Sequence, residues 1–112
     1  MEITLTEQDG IPIIKLSGEI DLYNSNQITK AISDLMEQEK TKMVIDLDQV
    51  SYIDSSGLGT FIGNLKKLTQ AGGGLKFVNV SESMHKLFEL TNLTTYLEFH
   101  GTPEEAIAAF RN

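Results

Sequence analysis

The stretch MVIDLDQVSYIDSSGLGTFIGNLKKL, residues 43 to 68, changes its hydrophobic period part-way along, and that change decides the fold class. Residues 43 to 47, MVIDL, are apolar and rich in β-formers, which predicts a buried strand. Leu58, Phe61, Ile62, Leu65 and Leu68 then recur at helical spacing and predict an amphipathic helix. Between the two lie Asp54, Ser55, Ser56, Gly57 and Gly59, small and polar residues at the mouth of that helix.

Working outward, the same alternation continues in both directions. Upstream, Ile3 and Leu5 alternate with Thr4 and Thr6, Asp9-Gly10 is a hairpin signal, and residues 13 to 16 supply the returning strand behind Pro12. GEIDLYNSNQ then ends the hairpin. Asn24, with Gln27 three residues on, resembles a helix cap before the stripe Ile28, Ala31, Ile32, Leu35 and Met36.

Downstream, Gly72 to Gly74 stop the central helix and LKFVNV, residues 75 to 80, reads as a strand. Ser81 caps a short helix with Met84, Leu87 and Phe88 inside, and TYLEF, residues 95 to 99, alternates like a strand. Thr102-Pro103-Glu104-Glu105 starts a last helix that buries Ala106, Ile107 and Phe110. The order β-β-α-β-α-β-α-β-α predicts an α/β fold: one domain over residues 1 to 112, a mostly parallel sheet with an N-terminal antiparallel hairpin, and about four helices. The loop after MVIDL then falls at the carboxyl edge of a parallel strand, where sites gather in open α/β sheets.

Composition narrows the function classes. With 40% apolar and 22% charged residues the 112-residue chain is an ordinary globular sequence. Its sixteen carboxylates against nine Lys and Arg leave a formal charge of −7, which argues against nucleic acid and anionic membranes as partners. No cysteine is present, so thiol catalysis, thiolate metal sites and disulfides are excluded. The N-terminus has no pattern of a secretory signal, and the expected compartment is the cytoplasm.

Three chemistries compete for the DSSGLG segment. A phosphate-binding loop needs a glycine followed by lysine, or G-x-G-x-x-G, whereas Gly57, Gly59 and Gly63 are spaced G-x-G-x-x-x-G. A nucleophile elbow needs G-x-S-x-G, and neither His85 nor His100 is placed by sequence as a base, so no enzyme activity and no cofactor are expected. The third possibility is a serine modified by another protein. Helix capping accounts for one hydroxyl, and Ser56 has the better claim to it because Gly57 and Leu58 come directly after it. Gly59 and Gly63 lie four apart, opposite Phe61 and Ile62, and leave a smooth strip. That strip serves either close packing against a neighbouring helix or docking of another protein.

VIDLDQVSYIDSSGLGTFIG, residues 44 to 63, preceded by LSGEIDLYNSNQI, residues 16 to 28, resembles the STAS domain of bacterial anti-sigma factor antagonists along the whole chain. The resemblance implies that Ser55, the first serine after Asp54, is phosphorylated by an anti-sigma factor that is also a serine kinase. It implies that the unphosphorylated form binds this kinase and frees the sigma factor, and that a PP2C-type phosphatase restores it. Asp21, Tyr23 and Asn24 belong to a turn that in the family lies beside the phosphorylation loop. Together with Asp54, Ser55, Ser56, Gly57, Gly59 and Gly63 they form the expected partner interface. A monomer suits such one-to-one exchange. The alternative is a STAS subunit of another assembly, a stress-signalling complex or the accessory subunit of a lipid-transporter ATPase.

Overall fold

A computed structural model describes residues 1 to 92 and 94 to 111. The hairpin comes first: β1 (Glu2–Gln8) pairs antiparallel with β2 (Ile11–Ile20) through Asp9 and Gly10, both at positive φ as a two-residue type I′ turn requires. After it come α1 (Ser25–Glu37), β3 (Lys42–Ile53), α2 (Ser55–Gln70), β4 (Gly74–Val78), α3 (Glu82–Leu90), β5 (Glu98–His100) and α4 (Pro103–Phe110). The sheet order is β1-β2-β3-β4-β5, with every pair after the hairpin parallel. The expected α/β architecture is the observed one.

Two cores flank the sheet. Ile28, Ile32 and Leu35 of α1, Leu58, Phe61 and Leu68 of α2, and Met84 and Phe88 of α3 share one core with Ile14, Leu16, Ile45 and Phe77. Ala106 and Ile107 of α4 cover the other face against Ile11, Ile13, Val44 and Val78. Strands buried on both faces read as continuous apolar runs, which is why MVIDL shows no alternation.

The structure differs from the sequence expectation at several element ends. β3 continues six residues beyond Leu47, because β2 also continues and the two stay paired as far as Ile20 and Ile53. The pairing accommodates two register shifts, between Lys15 and Ser17 and between Gly18 and Glu19, where β3 advances one residue more than β2 each time. Such bulges let a polar segment like Asp48-Gln49 stay in a sheet while turning the residues beyond it to a new direction. Residues 94 to 96 form a single 3-10 turn in place of a strand, so the last strand begins at Glu98. Its partner β4 spans only Gly74–Val78 and pairs with it from Lys76 to Val78, so pairing is short.

Candidate functional site

At the carboxyl edge of β2 and β3 two loops meet. The backbone N–H of Asp54 donates to the Ile20 carbonyl at 3.1 Å, extending the strand pairing and setting residues 21 to 24 beside the start of α2. The parallel register therefore brings Asp21, Tyr23 and Asn24 to the edge that carries Asp54 and Ser55.

The first of these loops is knitted from within. Asp21 Oδ1 accepts from the N–H of Tyr23 at 2.9 Å and of Asn24 at 3.2 Å. Asn24 Oδ1 accepts from the Asp21 N–H at 3.0 Å, and its Nδ2 donates to the Glu19 carbonyl at 2.9 Å. Asn24 stands at the N-cap position of α1, yet its side chain makes no cap bond. It closes the turn instead, and this corrects the expected cap. The result is a rigid loop that presents Leu22 and Tyr23 outward, 69% and 89% exposed.

The second loop also departs from expectation. The cap of α2 is Asp54, not Ser56: its Oδ1 accepts the Gly57 N–H at 3.0 Å and the Ser56 hydroxyl at 2.5 Å. Ser55 is the first helical residue and is exposed, whereas Ser56 is half-buried. Gly57 is buried, and a β-carbon there would stand 2.7 Å from both Ile20 Cγ2 and Ile53 Cγ1. Of the residues expected at the interface, Gly57 thus turns its side to the core. Gly59 and Gly63 are exposed, and an added β-carbon at either would meet nothing within 4 Å. Close packing against a neighbouring helix is therefore not their reason.

Hydrogen bonding holds the Asp54 carboxyl below the usual carboxylate value of 3.8. The Ser56 hydroxyl contributes most, then the Gly57 N–H, with the Leu22 N–H adding to it and burial opposing. A carboxylate whose folded pKa is depressed stabilises the fold above its unfolded value, and that contribution is lost as pH falls through the lower folded value. Asp54→Asn removes that contribution, so it is expected to lower the neutral plateau and to converge with the natural chain in acid, which flattens the acid limb below about pH 4. Urea midpoints measured across that range check it, and parallel acid limbs in the two proteins would rule it out.

One feature of the site was not read from the sequence. Tyr52, Ile53, Leu58, Leu87 and Phe88 line a cleft of about 130 Å³ that opens beside Ser55. Leu87, expected inside, is 38% exposed at its rim, and Leu90 beyond it is 81% exposed. The signal was available: Leu87 and Leu90 lie three apart and lean off the Met84–Phe88 stripe.

The model of the STAS domain matches residues 2–106 of the chain. The chain belongs to the STAS domain family. Among curated proteins, this STAS domain is 34% identical over 93 residues to the anti-sigma-B factor antagonist of Staphylococcus aureus (strain NCTC 8325 / PS 47), covering 83% of the chain and 86% of that protein. It is 35% identical over 105 residues to the anti-sigma-B factor antagonist of Listeria monocytogenes serovar 1/2a (strain ATCC BAA-679 / EGD-e), covering 94% and 91%. Among solved structures it superposes on the unphosphorylated anti-sigma factor antagonist SpoIIAA with a TM-score of 0.80 at 28% identity, covering 98% and 96%. The phosphorylated form of SpoIIAA, a Bacillus cell fate determinant, gives 0.71 at 29% identity, covering 96% and 98%. Among the described residues of this STAS domain, no helix is long and apolar enough to cross a membrane.

Proposed function

We propose that this chain is an anti-sigma factor antagonist acting in the cytoplasm as a phosphorylation switch. Unphosphorylated, it binds an anti-sigma factor that is also a serine kinase, and the sigma factor is released. Phosphate on Ser55 turns that binding off, and a PP2C-type phosphatase restores it. The observation that carries this reading is the position of Ser55, exposed at the first turn of α2 and next to a rigid loop that holds out Leu22 and Tyr23. A kinase reaches this hydroxyl without unfolding anything. The two antagonists of Staphylococcus and Listeria and the phosphorylated state of SpoIIAA support the same reading.

The test is intact mass before and after incubation with ATP and the host's anti-sigma factor kinase, followed by peptide mapping. One added phosphate on Ser55 is expected. No phosphate, with the kinase active on a control substrate, would move the assignment to a STAS subunit of another assembly.

The glycine strip offers a second check. Gly59→Ala and Gly63→Ala fill open space on an exposed helix face, so each is expected to raise stability by about 0.5–1 kcal/mol. If α2 docks the partner there, the same methyl groups lower affinity. A double variant that melts higher and binds more weakly fits the proposal, and unchanged affinity removes this face from the interface.

A further inference from the structure

We propose that Asp54 decides which of the two adjacent serines takes the phosphate, by tying down the Ser56 hydroxyl and leaving Ser55 as the acceptor. This rests on the reading of Ser55 as phosphoacceptor and explains a choice that the two chemically identical hydroxyls do not make by themselves. Asp54 is a positioning residue here, acting through Ser56.

Consecutive helical residues point about 100° apart, so Ser55 and Ser56 present their hydroxyls in different directions. Ser55 faces solvent. Ser56 is half-buried and donates its only hydroxyl proton to Asp54 Oδ1 at 2.5 Å, while the same oxygen receives the Gly57 N–H at 3.0 Å. The Asp54 backbone is pinned in turn, its N–H on the Ile20 carbonyl and its own carbonyl on the Leu58 N–H at 3.1 Å each. The carboxylate is thus fixed by strand pairing on one side and by the helix on the other.

Phosphoryl transfer requires the serine oxygen to approach the γ-phosphorus of ATP in line with the leaving oxygen. The Oγ–P bond forms as the bond to the departing ADP breaks, and the hydroxyl proton passes to a base on the kinase. Ser55 is open to all three requirements. At Ser56 the proton is already committed to a carboxylate held weakly basic by its hydrogen bonds. The oxygen is drawn toward the helix start, and an arriving phosphate would meet the negative charge of Asp54 at close range.

The experiment maps phosphate on the whole 112-residue chain after incubation with ATP and the serine kinase that acts on the unmodified protein. Ser55→Ala alone is expected to be phosphorylated about a hundredfold more slowly than the natural chain, the scale of a lost proton transfer. Adding Asp54→Ala to Ser55→Ala is expected to place phosphate on Ser56. Adding Asp54→Asn instead keeps an acceptor oxygen for Ser56 and Gly57 and is expected to stay slow. Phosphate on Ser56 of Ser55→Ala at the natural rate, with Asp54 intact, would overturn the proposal. So would a folded, kinase-binding Asp54→Ala, Ser55→Ala chain that takes none.

A kinase-free readout covers loss of the cap. By NMR the Ser56 hydroxyl proton of the unmodified protein should exchange more slowly than that of Ser55, and Asp54→Ala should abolish the difference. Equal exchange in the natural chain also overturns the proposal. A natural chain that takes no phosphate at all ends the phosphoacceptor reading instead, while the NMR result still reports on the Asp54–Ser56 bond.

Discussion

Phosphate on Ser55 is expected to weaken binding of the anti-sigma partner about a hundredfold or more, equivalent to about 3 kcal/mol. The group adds a charge of about −1.5 to −2 at neutral pH, on a protein that already carries −7, and it lies beside the Asp54 carboxylate. Within the free domain that charge is tolerated, because the first turn of α2 presents backbone N–H groups and the positive end of the helix dipole. In the proposed complex it would become a desolvated charge next to Leu22 and Tyr23, which stand out from the neighbouring loop. The penalty therefore falls on association and not on folding. Calorimetric titration of the kinase with phosphorylated and unmodified chain, at one salt concentration, measures the ratio. Melting of the two free forms should nearly coincide, and Ser55→Ala should bind like the unmodified chain. Equal affinities for the two forms would sink the switch.

Gly73→Ala is expected to cost about 3 kcal/mol or more of stability, the upper end of what overpacking does. A β-carbon at this residue would fall onto the Thr41 carbonyl oxygen and lie 2.6 Å from the Thr41 β-carbon. The obstacle is backbone, so no rotamer change relieves it. The same spot carries two hydrogen bonds, Gly73 N–H to the Leu68 carbonyl at 2.8 Å and Gly74 N–H to the Thr41 carbonyl at 2.9 Å. They tie the end of α2 to the entry of β3, so any shift that makes room also loosens the join between two core elements. Against a total of about 5–15 kcal/mol for a domain of this kind, that loss is severe. The urea midpoint of Gly73→Ala compared with the natural chain checks it, and a midpoint near the natural value would mean that the join is softer than drawn. Gly59→Ala and Gly63→Ala, which fill open space, provide the contrast: the same substitution changes sign according to what the β-carbon meets.

These glycines show what local spacing carries and what it does not. The pair at 59 and 63 was legible as an exposed strip because helical phase relative to Phe61 and Ile62 fixes which way each residue points. The triplet from Gly72 to Gly74 was legible as a helix stop, and Gly72 at a φ of 87° does end α2. That Gly73 must be glycine because of Thr41, thirty-two positions away in the chain, is written in no local pattern.

The same division runs through the site. Sequence alone determined the order of strands and helices, the apolar stripe of each helix, and the DSSGLG segment at a helix mouth on a strand's carboxyl edge. Each rests on periodicity and capping chemistry, which act between residues a few positions apart. Only the tertiary structure decided that β3 runs through Asp48 and Gln49, since that depends on its pairing with β2. It also decided that Asp54, not Ser56, caps α2, that Asn24 closes a turn instead of capping α1, and that Leu87 opens a cleft beside Ser55. In each case a polar group or an apolar edge has several partners of nearly equal local merit. The choice between them is made by the strand register and helix packing that bring distant residues to the same edge.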